Sequence, residues 1–430
     1  MEPEGSKKPG VIAVARFWAP LEATWLMMAI EGPVVAAVIA RLASPKLNLA
    51  AYGVALAIAM LVEAPIIMVM SAATALAADR EAYRKLRNFT LGLNLAITTL
   101  MIGVLIPPVF RQLARVLGLP PEVASLTWTA VAIFVPWPAA IGYRRLYQGV
   151  LIRAGMPGRV AYGTVLRLSV MAATGLGLGA WGKVDGAAVG AAALTLGVVA
   201  EAVGSRVMVR RALARLLQQA RPPGAVPIGY RDIAVFYYPL ALTSLLNMGV
   251  QPVVTFFLAR GSLPLASLAV LPVVNSLVFV FRTFGLAAQE TILAWLAGGP
   301  EHQGTLRRFS RALAVVSSAG LAAIGWTPLA GVWFERIAGL VPSLAALAVT
   351  PSRILAIMPA MTVWMAWQRA LLVHHRLTRP VTLATAAEVG GVIAVMLIGN
   401  RAGVVGIVSA AWALVIGRLL GNLVLVRATG

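Results

Sequence analysis

Charge is scarce in this chain. Asp, Glu, Lys and Arg make up 12% of its residues, against about 25% in an ordinary soluble domain, while 60% are hydrophobic. A chain so composed cannot cover a folded surface with groups that water solvates, so it reads as a membrane protein of many spans. Cysteine is absent, which excludes disulfides and thiolate-held metal. With only 3 histidines, and His374-His375 lacking a third ligand nearby in sequence, no metal site is expected. No Walker A loop, GxSxG, HExxH or CxxC occurs, so nucleotide-driven pumping and the common hydrolase and redox chemistries find no support, and no cofactor is expected. The pattern of a cleavable leader is also missing.

Acid is scarcer than base. The chain has 36 Lys+Arg against 15 Asp+Glu, a net charge of +21. A nucleic-acid binder would need a soluble face to present that charge, and none is visible. The alternative is a set of basic cytoplasmic connections that fix orientation.

Apolar runs separated by charged or Gly/Pro breaks predict twelve spans, at 17–40, 48–77, 89–113, 122–152, 159–181, 186–209, 232–259, 263–296, 308–333, 343–373, 380–399 and 403–426. With the N-terminus inside, Lys7, Lys8, Arg80, Arg84, Lys85, Arg87, Arg210, Arg211, Arg215, Arg307, Arg308 and Arg311 all fall on the inner side. The outer connections are much poorer in basic residues, with Arg41, Lys46, Arg111, Arg115 and Lys183 among the few. This asymmetry predicts that both termini are cytoplasmic.

The run FWAPLEATWLMMAIEGPVVAAVIAR at 17–41 is written again as FYYPLALTSLLNMGVQPVVTFFLAR at 236–260. Phe17/Phe236, Pro20/Pro239, Thr24/Thr243, Pro33/Pro252 and Arg41/Arg260 stand in register. Further on, Pro138 pairs with Pro359, Gln148 with Arg369, Gly186 with Gly403 and Gly204 with Gly421. The prediction is an all-α polytopic protein of twelve transmembrane helices in two parallel six-helix repeats. The first lobe would be 1–209, the cytoplasmic linker 210–231 and the second lobe 232–430. Six is an even number, so both repeats enter the membrane in the same direction, related by an axis along its normal. Such repeats enclose a central cleft in transporters that alternate access.

A charge at the bilayer centre costs about 2.5–3.5 kcal/mol on insertion scales and marks a functional candidate. Glu31 lies beside the Gly32-Pro33 kink and Glu63 directly before Ala64-Pro65; both suit a proton or cation site. Asn247 and Gln251 fill the counterpart region of Glu31 in the second repeat. Arg282, Arg353 and Arg369 would attract an anion from within the spans. The repeat sets Arg167 opposite Glu388 and Glu201 opposite Arg418, which suggests either salt bridges across the pseudo-axis or polar locks within each lobe. Arg144 and Arg145, in YRRLYQG, read as the inner end of span 4.

These repeats resemble the multidrug/oligosaccharidyl-lipid/polysaccharide exporter superfamily, which includes the MATE multidrug exporters, lipid-linked oligosaccharide flippases and the progressive ankylosis protein family. The opening of the second repeat, LAAYGVALAI at 49–58 and PSRILAIMP at 351–359 look most like the progressive ankylosis family, matching at Pro239, Pro252, Arg260, Pro351, Arg353 and Pro359. The resemblance implies a MATE-like fold and outward transport of organic anions or phosphates, with Glu31 in the place of the MATE coupling carboxylate. The expectation is a monomeric secondary exporter in the plasma (bacterial inner) membrane. It would move a small anion, coupled to H+ or Na+ and surrounded by membrane lipid. The alternatives are a cation-coupled multidrug antiporter, a flippase for a lipid-linked headgroup, and a non-transporting scaffold or receptor.

Overall fold

The computed structural model describes residues 10–156, 158–219, 227–296, 302–374, 377 and 379–429. Twelve helices there are long and apolar enough to cross a bilayer. Spans 1 to 6 are Val11–Ala40, Pro45–Leu76, Arg80–Leu105, Pro121–Arg153, Gly158–Trp181 and Gly186–Met208. Spans 7 to 12 are Tyr230–Leu258, Pro264–Leu296, Gln303–Trp326, Pro342–Leu372, Arg379–Arg401 and Gly406–Thr429. Among the described residues there is no strand, only an isolated bridge between Ser262 and Val405. In hydrocarbon a helix satisfies its own backbone polar groups, which an open strand cannot do.

Local chemistry explains where the observed limits differ from the predicted ones. Span 3 begins at Arg80 rather than 89 because Asp79 caps it, accepting from the amides of Glu81 at 2.8 Å and Ala82 at 2.9 Å. It ends at Leu105 because Pro107-Pro108 forbids continuation. Ile106 turns to φ −59° and ψ 123°, the extended conformation favoured before proline. Residues 107–117 then form a separate amphipathic helix. The linker begins as a helix, Arg210–Gln218, with Ala212, Leu213 and Leu216 buried; residues 220–226 lie outside the described set.

Several spans are broken. Span 1 has a turn at Ile30 before its second section begins at Glu31. The first section of span 2 ends at Glu63 and passes through a 3-10 turn, Ala64–Ile66. Spans 4 and 10 break at Val135 and around Ala356. Spans 7 and 8 run unbroken through Pro239, Pro252 and Pro272.

The chain forms two compact units, and they do not follow the division expected from the repeat. One unit is Met1–Ala37 with Arg260–Gly430; the other is Val38–Ala259. Span 1 is held to span 8 in the first unit: Trp18 Nε1 donates to the Phe284 carbonyl at 3.3 Å and Thr283 Oγ1 to Glu22 Oε1 at 2.7 Å. Gly32 allows the same approach, since a Cβ there would lie 2.8 Å from Ser276 Cβ. Span 7 is held to spans 2 and 3 in the second unit. Tyr237 donates its hydroxyl hydrogen to the Pro65 carbonyl, at the break in span 2, and its ring packs edge-on against Phe89.

Small residues set how closely the spans pack, as is usual in membrane bundles. A Cβ at Gly149 would lie 2.5 Å from Ala73 Cβ and 2.6 Å from the Met70 carbonyl oxygen, whereas one at Gly92 would meet nothing within 4 Å. Gly149→Val is expected to destabilise the detergent-solubilised protein by about 1–3 kcal/mol through overpacking. Gly92→Val should leave the melting temperature within error of the parent, and thermal unfolding of the two variants checks the contrast.

Candidate functional site

Each unit contains a buried polar node, built where four spans converge. In the unit Val38–Ala259 its centre is Glu201 on span 6, which is 0% exposed. Arg144 on span 4 forms an ion pair with Glu201 Oε2, and Arg167 Nε on span 5 approaches the same oxygen at 3.4 Å. Gln148, one turn beyond Arg144, donates to Glu201 Oε1 at 2.9 Å. Glu63, at the break in span 2, is 3% exposed, and its charged neighbours are Arg144, Arg145 and Arg167. Arg145 directs Nη1 to Met70 Sδ at 3.5 Å. The node thus gathers three arginines and two glutamates. Arg144 does not mark the end of a span, as expected; it is 5% exposed and holds the acid of the node.

In the other unit the node lies among spans 8, 10, 11 and 12. Glu388 Oε1 pairs with Arg418 Nη2 at 2.9 Å, and Arg418 Nη1 meets Met365 Sδ at 3.0 Å. Arg369 Nη2 reaches Thr385 Oγ1 at 3.5 Å, and Arg282 Nε donates to Thr362 Oγ1 at 3.3 Å. The charged neighbours of Arg282 are Arg418, Glu388 and Arg369. This node holds three arginines and one glutamate. Among the described residues neither Arg282 nor Arg369 forms a salt bridge with a carboxylate.

Of the two pairings open to Arg167, Glu388, Glu201 and Arg418, the salt bridges formed are Arg167 with Glu201 and Glu388 with Arg418, each inside one unit.

The internal geometry of each unit also resets the register of the repeat. The Ala187 amide donates to Asn48 Oδ1 at 2.9 Å, and the Ile407 amide to Ser267 Oγ at 3.2 Å. Spans 6 and 12 each follow a glycine in the left-handed region, Gly182 at φ 69° and Gly403 at φ 68°. Asn48 therefore corresponds to Ser267, and Ala187 to Ile407. Glu63 is 15 residues beyond Asn48 (63 − 48) and Arg282 is 15 beyond Ser267 (282 − 267), so these two occupy equivalent places. Glu201 is 14 beyond Ala187 (201 − 187), which leads to Gly421 (407 + 14) rather than to Arg418. Arg418 instead corresponds to Val198, about one turn away. Gly186 aligns with Gly406, not with Gly403. Arg167 and Glu388 keep their correspondence: a Cβ at Gly197 would lie 3.0 Å from the Arg167 carbonyl oxygen, and one at Gly417 2.7 Å from that of Glu388. Charge is thus inverted between the nodes at two equivalent places, Glu63/Arg282 and Arg167/Glu388.

The remaining predicted residues lie elsewhere. Arg353 is exposed, and its Nε caps the end of span 9 by donating to the Gly325 carbonyl at 2.8 Å. Glu31 is half-buried and opens the second section of span 1. Gln251 is half-buried on span 7. The Asn247 side chain lies outside the described set, as do those of His374 and His375. Glu22, on the first section of span 1, is 6% exposed with Thr283 as its hydroxyl donor. The equivalence of Glu63 and Arg282 was readable from the opening repeat, had its register been carried on into span 2. Among the described residues no group of three His, Cys, Asp or Glu is placed to hold a metal.

No family model matches the chain, and no curated protein matches it. Solved structures do. An inward-facing multidrug resistance MATE family transporter of the MOP superfamily aligns over 94% of this chain and 93% of its own, with TM-score 0.72 and 16% identity. The lipid II flippase MurJ, in an inward closed conformation, aligns over 96% and 88% with TM-score 0.76 and 13% identity. A MOP superfamily transporter from Pyrococcus furiosus, described as having a binding pocket of reverse polarity, aligns over 98% and 96% with TM-score 0.59 and 13% identity. The chain therefore has the MATE-type fold of twelve membrane helices, and the two-repeat arrangement is consistent with it.

Removing one partner of a buried ion pair leaves the other uncompensated, at a cost of about 3–5 kcal/mol. Glu201→Gln, which removes the carboxylate that Arg144 and Arg167 share, is expected to destabilise within that range. Gln148→Ala removes a single neutral donor and should cost about 1–3 kcal/mol. Thermal unfolding of both variants in one detergent tests the order.

Proposed function

We propose that the chain is a secondary-active membrane exporter of a small organic or phosphate-type anion, working by alternating access of its two repeats. The observation that carries this reading is the surplus of arginine in the node of spans 8, 10, 11 and 12. Arg282 and Arg369 reach only the hydroxyls of Thr362 and Thr385 in the hydrogen bonds described there. Half-buried guanidinium groups whose forks are not filled by carboxylates suit an oxyanion, which accepts paired N–H donors. The Glu388–Arg418 pair holds the third arginine in place beside them.

Coupling falls to the carboxylates. Glu63 is buried at a helix break with one oxygen, Oε2, lacking a hydrogen-bond partner, and it takes the place that Arg282 has in the other repeat. Protonation or cation binding there changes the charge of a node in which three arginines already face it. Glu31, at the break in span 1, is the second coupling group, for H+ or Na+. Glu201 with Arg167, and Glu388 with Arg418, act as locks within their own units. The chain would work as a monomer in the plasma (bacterial inner) membrane with both termini cytoplasmic, and the likeness to the progressive ankylosis family at Pro351, Arg353 and Pro359 belongs to this reading.

A second reading, a proton- or sodium-coupled antiporter of lipophilic cations, is favoured by Glu22, a buried span-1 carboxylate whose one described hydrogen-bond partner is neutral. The fold shared with a lipid II flippase supports a third, movement of a lipid-linked headgroup.

In proteoliposomes loaded with radiolabelled phosphate or a small dicarboxylate, Arg282→Gln and Arg369→Gln are each expected to lower efflux by about tenfold or more, the factor equal to 1.4 kcal/mol of lost binding. Arg353→Gln should stay within about twofold of the parent, because its guanidinium caps a helix rather than meeting cargo. Unchanged efflux in both node variants, together with cation efflux abolished by Glu22→Gln, would transfer the assignment to the antiporter.

A further inference from the structure

The amphipathic helix Pro107–Leu117 does not close against the start of span 4. Phe110, Ala114 and Leu117 are buried, while Arg111, Gln112 and Arg115 are exposed. A short helix of this kind between two spans lies at the membrane margin, apolar side inward and basic side toward the headgroups. Between it and the first turns of span 4 runs an open groove of about 300 Å³, walled by Phe110, Ala114, Ala124 and Trp128. Its polar edge is formed by Arg111 and Ser125. Trp128 is 42% exposed but fixed, because its Nε1 donates to the Leu105 carbonyl at 3.0 Å. The groove is therefore a fixed feature of the surface.

We propose that this groove binds an anionic phospholipid. The phosphate meets Arg111 and Ser125, Arg115 one turn further along the helix adds a second cation, and an acyl chain lies over Phe110, Ala114 and Ala124. Location and charge fix the occupant. An apolar groove open to the bilayer is filled by hydrocarbon, and Arg111 at its edge, with Arg115 outside the lining one turn along the same helix, favours a headgroup that carries net negative charge. Glu122, in the first turn of span 4, is exposed and is not part of the lining. The site concerns lipid held by the protein and is independent of the cargo.

The test uses the full chain in phosphatidylcholine nanodiscs doped with brominated phosphatidylglycerol or brominated phosphatidylcholine. Subtracting the signal of Trp128→Phe isolates the quenching of Trp128. Half-quenching is expected at a mole fraction of the brominated phosphatidylglycerol about fivefold lower than that of the zwitterionic lipid, the factor one arginine contributes at an anionic surface. The exposed pair Arg111→Gln/Arg115→Gln should abolish that preference without changing the melting temperature. Native mass spectrometry provides a readout that does not need the tryptophan variant: the double variant should retain one fewer phosphatidylglycerol than the parent. Equal quenching of Trp128 by the two lipids, or a preference and lipid count that survive the double substitution, would overturn the proposal.

Discussion

An ionised group inside a bilayer must find an opposite charge or a set of polar partners, and that requirement organises this protein. Glu201 is fully buried and holds Arg144, Arg167 and Gln148; Glu388 holds Arg418. Each pair joins neighbouring spans within one unit, so the helices that carry these charges can be buried at all only when packed together. The glycines facing those contacts, Gly197 and Gly417, bring the helix backbones close enough for the side chains to meet. Charge pairing and close packing are one arrangement here. Removing either would loosen the other.

The two nodes share a plan but differ in sign. Glu63 takes the position of Arg282, and Arg167 that of Glu388. The node containing Glu63 and Glu201 is nearly balanced, with three arginines against two glutamates, whereas that of Arg282, Arg369 and Arg418 has only Glu388 to offset it. A duplicated bundle would begin with the same residues in both copies, so the sign change marks a place where the two copies have diverged. The helix breaks follow the same asymmetry. Spans 1 and 2 break beside Glu31 and Glu63, while spans 7 and 8 pass unbroken through their prolines. Proline alone therefore does not set the break.

Much of this was legible in the sequence. Scarcity of charge and the length of the apolar runs predicted twelve spans, and the doubled segments at 17–41 and 236–260 predicted the repeat. Span limits were harder to read where local stereochemistry decides them, as with the Asp79 cap and the Pro107-Pro108 stop on span 3. The division of the chain into compact units was not readable at all, because it depends on contacts such as Trp18 to Phe284 and Tyr237 to Pro65 that join residues far apart in sequence. Among the charges, Arg282, Arg369, Glu63, Glu201 and Glu388 were singled out by their depth, while Arg144 was passed over because a paired Arg-Arg resembles a membrane boundary. Arg353 looked buried between two prolines, but a helix end needed its guanidinium. The three-residue error in aligning Glu201 with Arg418 arose from matching glycines by identity, when the side chain-to-amide contacts at Ala187 and Ile407 set the register.

The central claim is that the paired acid of each node, Glu201 in one and Glu388 in the other, is matched by arginine within its own unit. It is tested most directly by exchanging one pair in place, Glu388→Arg with Arg418→Glu, and measuring thermal unfolding of the two single variants and the exchange. Each single variant places two like charges in contact and should melt well below the parent, while the exchange restores an opposite pair and should recover most of the loss. An exchanged protein as unstable as the sum of the two single changes would contradict the account.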